Sequence, residues 1–365
     1  MKRLILILAA LLVTISRGEC CTTVIVSAEA SGTGRPLMWK QRDTSVGFNY
    51  LEWFPGSEGH YGFLGIVNTS DKKRESVWCG ANEAGLSIIN SVSYGLSPIR
   101  TDDRPYEGMV MKKALETCAT VDEFEALIKS LDQPNGLETN FGVIDAYGGA
   151  AYFETHDLGY VRFDVSGSKN GYLIRTNYSM TGREGEGKGY DRYDIAASRM
   201  ASCTEGFTPE WIIDNLGRET TIARDKTVSS VVFEGVGPGE SPVSTILWCI
   251  SGYTPYCYAM PVWVAAGDLI PEPLKKTTGR GSVQNEWSIE RLRSIGDIEP
   301  GPDGKPDLSM DQEAMLDAVR NAEVKEISQG RLMDAAFRKN GIDRDAVKAY
   351  NKTAQARFKR FISNR

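Results

Sequence analysis

The chain has 365 residues, with 42 lysines and arginines against 48 aspartates and glutamates, for a formal net charge of −6. An acidic chain without a basic stripe argues against nucleic acid as a partner. The length suits one large domain, or one domain with an appendage, and is enough to bury a core without disulfide staples.

In chain order, Met1-Lys2-Arg3, the apolar run Leu4 to Ile15 and the small residues around Ser16, Gly18 and Cys20 have the form of a secretory signal. The run is shorter than the ~20 residues that span a bilayer, so the expectation is an exported protein, periplasmic or extracellular, with no stable membrane insertion. A cut after Gly18 leaves Glu19 and Cys20 ahead of Cys21, whereas a cut after Cys20 exposes Cys21. Arg17 and Glu19 fit poorly with lipidation of either cysteine. Loss of residues 1–20 removes Lys2, Arg3, Arg17 and Glu19 and makes the mature chain more acidic, at −8.

Strands are predicted at Cys21 to Val26, Pro36 to Lys40, Tyr61 to Val67, Glu75 to Trp78 and Leu86 to Ser91, together forming one antiparallel sheet. Two helices follow, Gly108 to Thr117 and one opened by the capping box Thr120-Val121-Asp122-Glu123. Further strands are predicted at Phe141 to Ile144, Ala151 to Phe153, Tyr160 to Phe163 and Tyr172 to Ile174. Helices at Tyr190 to Ala201 and Pro209 to Leu216 come next, then strands at Val228 to Phe233, Thr245 to Ile250 and Tyr258 to Val264. That order suggests two packed sheets with helices outside them. Residues 286–308 read as a linker, and 309–365 as a helical segment whose last helix buries Val347, Tyr350, Ala354, Phe358 and Phe361 on one stripe.

There are seven cysteines and only two histidines, His60 and His156, each alone. No metal-ligand spacing is present and no cofactor is implied. Cys249 and Cys257 flank a turn and are candidates to pair across it, although spacing alone does not settle the framework.

A cysteine at a chain start needs no histidine. Its own α-amine, with an ordinary pKa of about 7.7–8.0, can take the thiol proton near neutral pH. The thiolate then attacks an amide carbonyl to give a thioester, which water resolves.

Cys21-Thr22-Thr23-Val24-Ile25-Val26, followed by Gly34-Arg35-Pro36 and Lys40-Gln41-Arg42-Asp43, resembles the opening of the N-terminal-nucleophile hydrolases. The likeness is to the branch with choloylglycine hydrolases, penicillin V acylases, acid ceramidase and the acyl-coenzyme A:6-aminopenicillanate acyltransferases. Asn82-Glu83-Ala84-Gly85-Leu86 leading to Asn90, and Arg175-Thr176-Asn177, resemble two further stretches of that family. The resemblance covers about residues 21–265. It implies an α+β fold, an αββα four-layer sandwich over 21–285, with residues 309–365 as a C-terminal helical extension. It also implies Cys21 as nucleophile, Asp43 orienting the α-amine, and Asn90 and Asn177 stabilising the oxyanion. Lys40 stands where the family more often has arginine and loses the forked donor, a loss Arg42 next door partly makes good. Arg192 is a further candidate site arginine.

The expected reaction is hydrolysis of a linear amide C–N bond in a small-molecule N-acyl amide, with acyl transfer as a variant. An N-terminal-cysteine dipeptidase, which would also open Cys-Thr-Thr, is the alternative enzyme. A non-catalytic exported ligand-binding protein is the alternative from another class. No motif speaks to oligomeric state, and a homo-oligomer stays open.

Overall fold

A computed structural model describes residues 20–96, 106–276, 279–296 and 309–364. The expected signal segment up to residue 19, and residues 297–308 of the expected linker, lie outside the described residues.

The first strands, β1 (Thr22–Val26) and β2 (Leu37–Asp43), form a hairpin in a six-stranded antiparallel sheet. The order there is β10 (Tyr172–Arg175), β1, β2, β11 (Thr227–Glu234), β12 (Ile246–Ile250), β13 (Met260–Trp263). The second antiparallel sheet runs in chain order through seven strands: β3 (Asn49–Phe54), β4 (Phe63–Asn68), β5 (Cys79–Asn82), β6 (Ser87–Val92), β7 (Thr139–Ile144), β8 (Ala150–His156) and β9 (Gly159–Asp164).

The first five predicted strands are therefore not one sheet. After Asp43 the chain crosses to the other layer, while β1 and β2 take their outer partners from β10 and β11, far along the sequence. The strand expected at Glu75 to Trp78 instead begins at Cys79. The Ser76 N–H donates to Asp71 Oδ2 (2.9 Å) and the Val77 N–H to the Gly108 carbonyl (3.0 Å), which takes both out of the ladder.

The two sheets pack face to face through Ile25 and Met38 on one side and Ile89 and Tyr152 on the other. The Tyr152 hydroxyl reaches across to Thr23 Oγ1 (2.9 Å). Outside the second sheet lie α1 (Tyr106–Thr117) and α2 (Val121–Lys129), which cover Ile88, Phe141 and Phe153 with Met111, Leu115 and Phe124. Thr120 caps α2 by accepting the Glu123 N–H (3.1 Å), and Glu123 reaches back to the Ala119 N–H (2.5 Å).

The other outer layer includes α3 (Tyr190–Ala201), α4 (Pro209–Ile212), α6 (Ser309–Asn340) and α7 (Arg344–Ser363), against the far face of the first sheet. The fold is thus α+β, with four layers in the order αββα. The C-terminal helices belong to one of those layers. A Cβ on Gly330 of α6 would come within 3.0 Å of the Trp248 ring, so the helix lies almost directly on β12. In α7, Val347, Tyr350, Ala354 and Phe358 are buried, and Tyr258 meets the Phe358 and Phe361 rings edge-on at 5.6 and 5.3 Å. The helix α5 (Val283–Gly296) occupies the first part of the expected linker.

All seven cysteines are free thiols. Cys249 stands opposite Met260 in the ladder, and the Cys257 thiol donates to the Gln284 carbonyl (3.5 Å), so the expected pairing across the turn is not formed.

An ionic knot ties α6 to the sheets. Glu240 accepts from Arg35 Nη2 (2.5 Å), Arg338 Nη1 (2.7 Å) and the Gly237 N–H (2.8 Å). Burial alone would raise the Glu240 pKa, but Arg35, the Gly237 N–H and Arg338 outweigh it and lower the carboxyl from 4.5 to about 2. A depressed folded-state pKa stabilises the fold above the unfolded value, and that contribution fades as pH falls from 4.5 toward 2. Glu240→Gln should therefore cost roughly 1–3 kcal/mol at neutral pH, as charge-assisted bonds are lost. Urea melts of the variant should also show a shallower loss of stability between pH 4.5 and 2. Parallel pH profiles for the variant and the parent would refute the assignment.

Candidate active site

The hairpin register carries the start of β1 to the end of β2. Thr22 stands opposite Gln41, and the Cys20 N–H donates to the Asp43 carbonyl (3.1 Å), so Cys21 faces Arg42 across the ladder. Cys21 is 2% exposed.

Asp43 is fully buried. Its Oδ2 accepts from Arg224 Nη2 (2.5 Å) and Nε (3.1 Å), and its Oδ1 from the Thr227 hydroxyl (2.6 Å). Burial pushes the carboxyl pKa up, and Arg224 and Thr227 pull it back. Burial alone would lower the Arg224 pKa, yet with Asp43 beside it the guanidinium moves up, as in an ion pair. Arg224 Nη2 also lies 3.4 Å from the Cys20 carbonyl oxygen. One guanidinium therefore bridges the Asp43 carboxylate and the carbonyl of the Cys20–Cys21 peptide.

A second guanidinium, this one buried, takes the next carbonyl. Arg192, in the first turn of α3, is 1% exposed. Its Nη1 donates to the Cys21 carbonyl (2.5 Å) and to Thr22 Oγ1 (2.9 Å), and its Nη2 donates to Asn177 Oδ1 (2.8 Å). Gly189 makes the fold-back possible. Its φ of +81° suits glycine, and a Cβ there would sit 2.1 Å from Arg192 Nη2.

The two candidate asparagines are each oriented by a buried cation. A guanidinium and an ammonium only donate, so the amide atom facing each must be the oxygen. With Asn177 Oδ1 on Arg192, its Nδ2 points away, 3.3 Å from the Val92 carbonyl. With Asn90 Oδ1 on Lys40 Nζ (2.5 Å), its Nδ2 is likewise turned from the lysine. Lys40 donates a further bond to the Trp78 carbonyl (2.7 Å) and is 1% exposed, so it braces the two sheets from inside. Arg42 Nη1 donates to Asn68 Oδ1 (2.9 Å), and its guanidinium lies 4.7 Å from the centre of the Trp78 ring.

Cys79 adds a second thiol to the space between the sheets. Burial raises its pKa to about 11 despite Lys40 and Arg42, which keeps it protonated and inert at neutral pH. His60 closes a turn, its Nδ1 3.4 Å from the Ser57 hydroxyl, and His156 ends β8, its Nδ1 accepting the Leu158 N–H (3.3 Å). Among the described residues, no three His, Cys, Asp or Glu side chains converge as a metal site. No helix there is long and apolar enough to cross a membrane.

Sequence reasoning missed Arg224 and Thr227. They meet Asp43 across 181 and 184 residues, and no local pattern around Ala223-Arg224-Asp225 marks them.

No family model matches the chain, and no curated protein matches it. Solved structures similar to it include an N-acylethanolamine-hydrolyzing acid amidase ortholog from Caenorhabditis elegans, at 13% identity and TM-score 0.44, covering 61% of this chain and 93% of that one. A variant of the conjugated bile acid hydrolase from Clostridium perfringens is similar at 10% identity and TM-score 0.43, covering 67% and 92%. Penicillin V acylase from Agrobacterium tumefaciens is similar at 14% identity and TM-score 0.41, covering 67% and 86%.

Proposed function

We propose that this chain is an exported N-terminal-cysteine amidohydrolase that cleaves a linear amide C–N bond and becomes active when Cys21 is its first residue. The observation that carries the reading is the grip on the Cys20–Cys21 junction. Arg224, paired with Asp43, reaches the Cys20 carbonyl, and Arg192 holds the Cys21 carbonyl. The backbone around one cysteine is thus held by two cations, one of which, Arg192, is buried at a cost in hydration that a plain strand start does not need.

Once the junction is cut, the Cys21 α-amine sits beside the Asp43–Arg224 pair and takes the thiol proton. Sulfur attacks the substrate carbonyl carbon, and the oxyanion is met by the N–H groups of Asn177 and Asn90. Collapse breaks the C–N bond, the α-ammonium protonates the leaving amine, and a thioester remains on Cys21. Water, deprotonated by the same α-amine, releases the acid, and a second amine in place of water gives acyl transfer.

The cut itself comes either from a signal peptidase acting after Cys20 or from attack by Cys21 on the Cys20 carbonyl. Two measurements on the exported protein test the reading together: N-terminal sequencing, and hydrolysis of a panel of N-acyl amides. A mature chain that begins elsewhere, or one that begins at Cys21 and cleaves none of the panel, would sink it.

A further inference from the structure

The last turns of α6 leave a cleft of about 160 Å³ against the strands β12 and β13. Val243, Ala265, Phe337 and Ile342 supply apolar walls, and Trp263, Asp334 and Arg338 supply polar groups. Ser241 and Gly341, also on the lining, are exposed and mark its mouth.

The cleft is remote from Cys21. It sits by Ile246, which stands opposite Trp263 on one side and opposite Glu234, and through it Leu37, on the other. Thr22 stands opposite Gln41, and through it Ser230 and Ile250. Four residues along the strands and three strands across put the two places on the order of 20 Å apart. The helical wall also lies beyond residues 21–265, where the resemblance to the N-terminal-nucleophile hydrolases ends.

Two donors on the lining are unspent. Arg338 donates from Nη1 to Glu240 (2.7 Å) and from Nε to Asp334 Oδ2 (2.7 Å). Its side chain is 6% exposed, yet Nη2 is buried with no hydrogen-bond partner. Trp263 is 3% exposed and meets the Phe337 and Tyr350 rings edge-on at 5.3 and 5.8 Å. Its Nε1 is likewise buried and unpartnered. Buried donors in this condition are costly, so an acceptor that reaches both is favoured.

Charge decides which acceptor. Arg338 and Asp334, the charged residues on the lining, cancel, and Arg338 is already shared with Glu240. A carboxylate here would lose its hydration and meet Asp334 without a spare cation. A neutral carbonyl escapes that penalty, and an amide N–H beside it finds the Asp334 carboxylate. In volume, an apolar cavity of about 150 Å³ takes a molecule the size of benzene.

We infer that this cleft is a second ligand site, separate from Cys21, that takes a small neutral amide on an apolar body of about ring size. The inference is independent of the amidohydrolase reading. Benzamide is the probe, with benzoate and toluene as its charged and apolar counterparts. The readout is the indole N–H signals of the seven tryptophans in heteronuclear NMR spectra of the full chain. Trp263→Phe identifies the Trp263 signal by its loss. Benzamide should shift that signal saturably, binding about tenfold or more tightly than benzoate or toluene, the scale of one charge-assisted hydrogen bond. Ala265→Leu, which fills the cleft, should abolish the shift while the tryptophan signals keep their places. Should that variant disturb the spectrum itself, Ile342→Phe, at a half-buried position, narrows the same cleft and takes its place. No shift of the Trp263 signal, an equal response to benzoate or toluene, or a shift that survives the filled cleft would overturn the site.

Discussion

Replacing Cys21 with alanine should abolish amide cleavage, with a fall in kcat/KM of ~10,000-fold or more, because nucleophile and thioester site vanish together. Alanine is slightly smaller than cysteine and fits the same buried position, so the fold should survive. The informative comparison is with a chain whose Cys21 is intact but still preceded by Cys20. There the thiol is present and the base is not, since the amine is locked in a peptide bond whose carbonyl Arg224 faces at 3.4 Å. That chain should be as inactive as the alanine variant until the junction is cut, and should then recover fully. Mass spectrometry of the N-terminus alongside the rate of amide hydrolysis reads both. Full activity with Cys20 still attached would show that the amine is not the base.

Asn177→Asp is expected to separate architecture from catalysis. The new carboxylate would still accept from Arg192 Nη2, now as an ion pair, so the contact that ties α3 to the segment after β10 is kept. What is lost is the N–H group, and a negative charge appears where an oxyanion should form. We expect kcat to drop ~100- to 1,000-fold, on the scale of one removed oxyanion donor, with a stability loss of roughly 1–2 kcal/mol because a carboxylate oxygen replaces the Nδ2 that donates to the Val92 carbonyl. Arg192→Ala should behave differently. It strands the Cys21 carbonyl, Thr22 Oγ1 and Asn177 Oδ1 in a buried site, with a stability loss of roughly 2–4 kcal/mol in addition to lost activity. If Asn177→Asp kept its turnover, the residue would be a strut and the oxyanion would be held elsewhere.

Features encoded within a few residues were legible in the sequence. The Thr120 box caps α2 as expected, and the Val347-Tyr350-Ala354-Phe358 stripe faces the core because helical spacing leaves it no alternative. Strand partnership was not legible. β1 and β2 read like neighbours of β3 to β6, and only pairing with β10 and β11, more than a hundred residues on, assigns them to the other sheet. The site divides along the same line. Cys20 and Asp43 stand opposite each other on one hairpin, so the approach of Asp43 to the Cys20–Cys21 junction follows from local register. Arg224 reaches Asp43 across 181 residues and leaves no trace in any window of sequence. Lys40 shows the limit from the other side. It was singled out as part of a motif, but its bonds to Asn90 and the Trp78 carbonyl depend on the second sheet, which no motif describes.

The strand order β10-β1-β2-β11-β12-β13 also has a meaning in time. The strand that follows Cys21 is an inner strand, flanked on one side by a segment made some 150 residues later. The sheet's outer face is finished by helices that come after all of its strands in the chain. Contacts this distant in sequence form slowly, since loop closure must precede their reward. The junction at Cys20–Cys21 thus precedes in the chain both of the arginines that hold it, and its grip waits on segments some 170 and 200 residues further on.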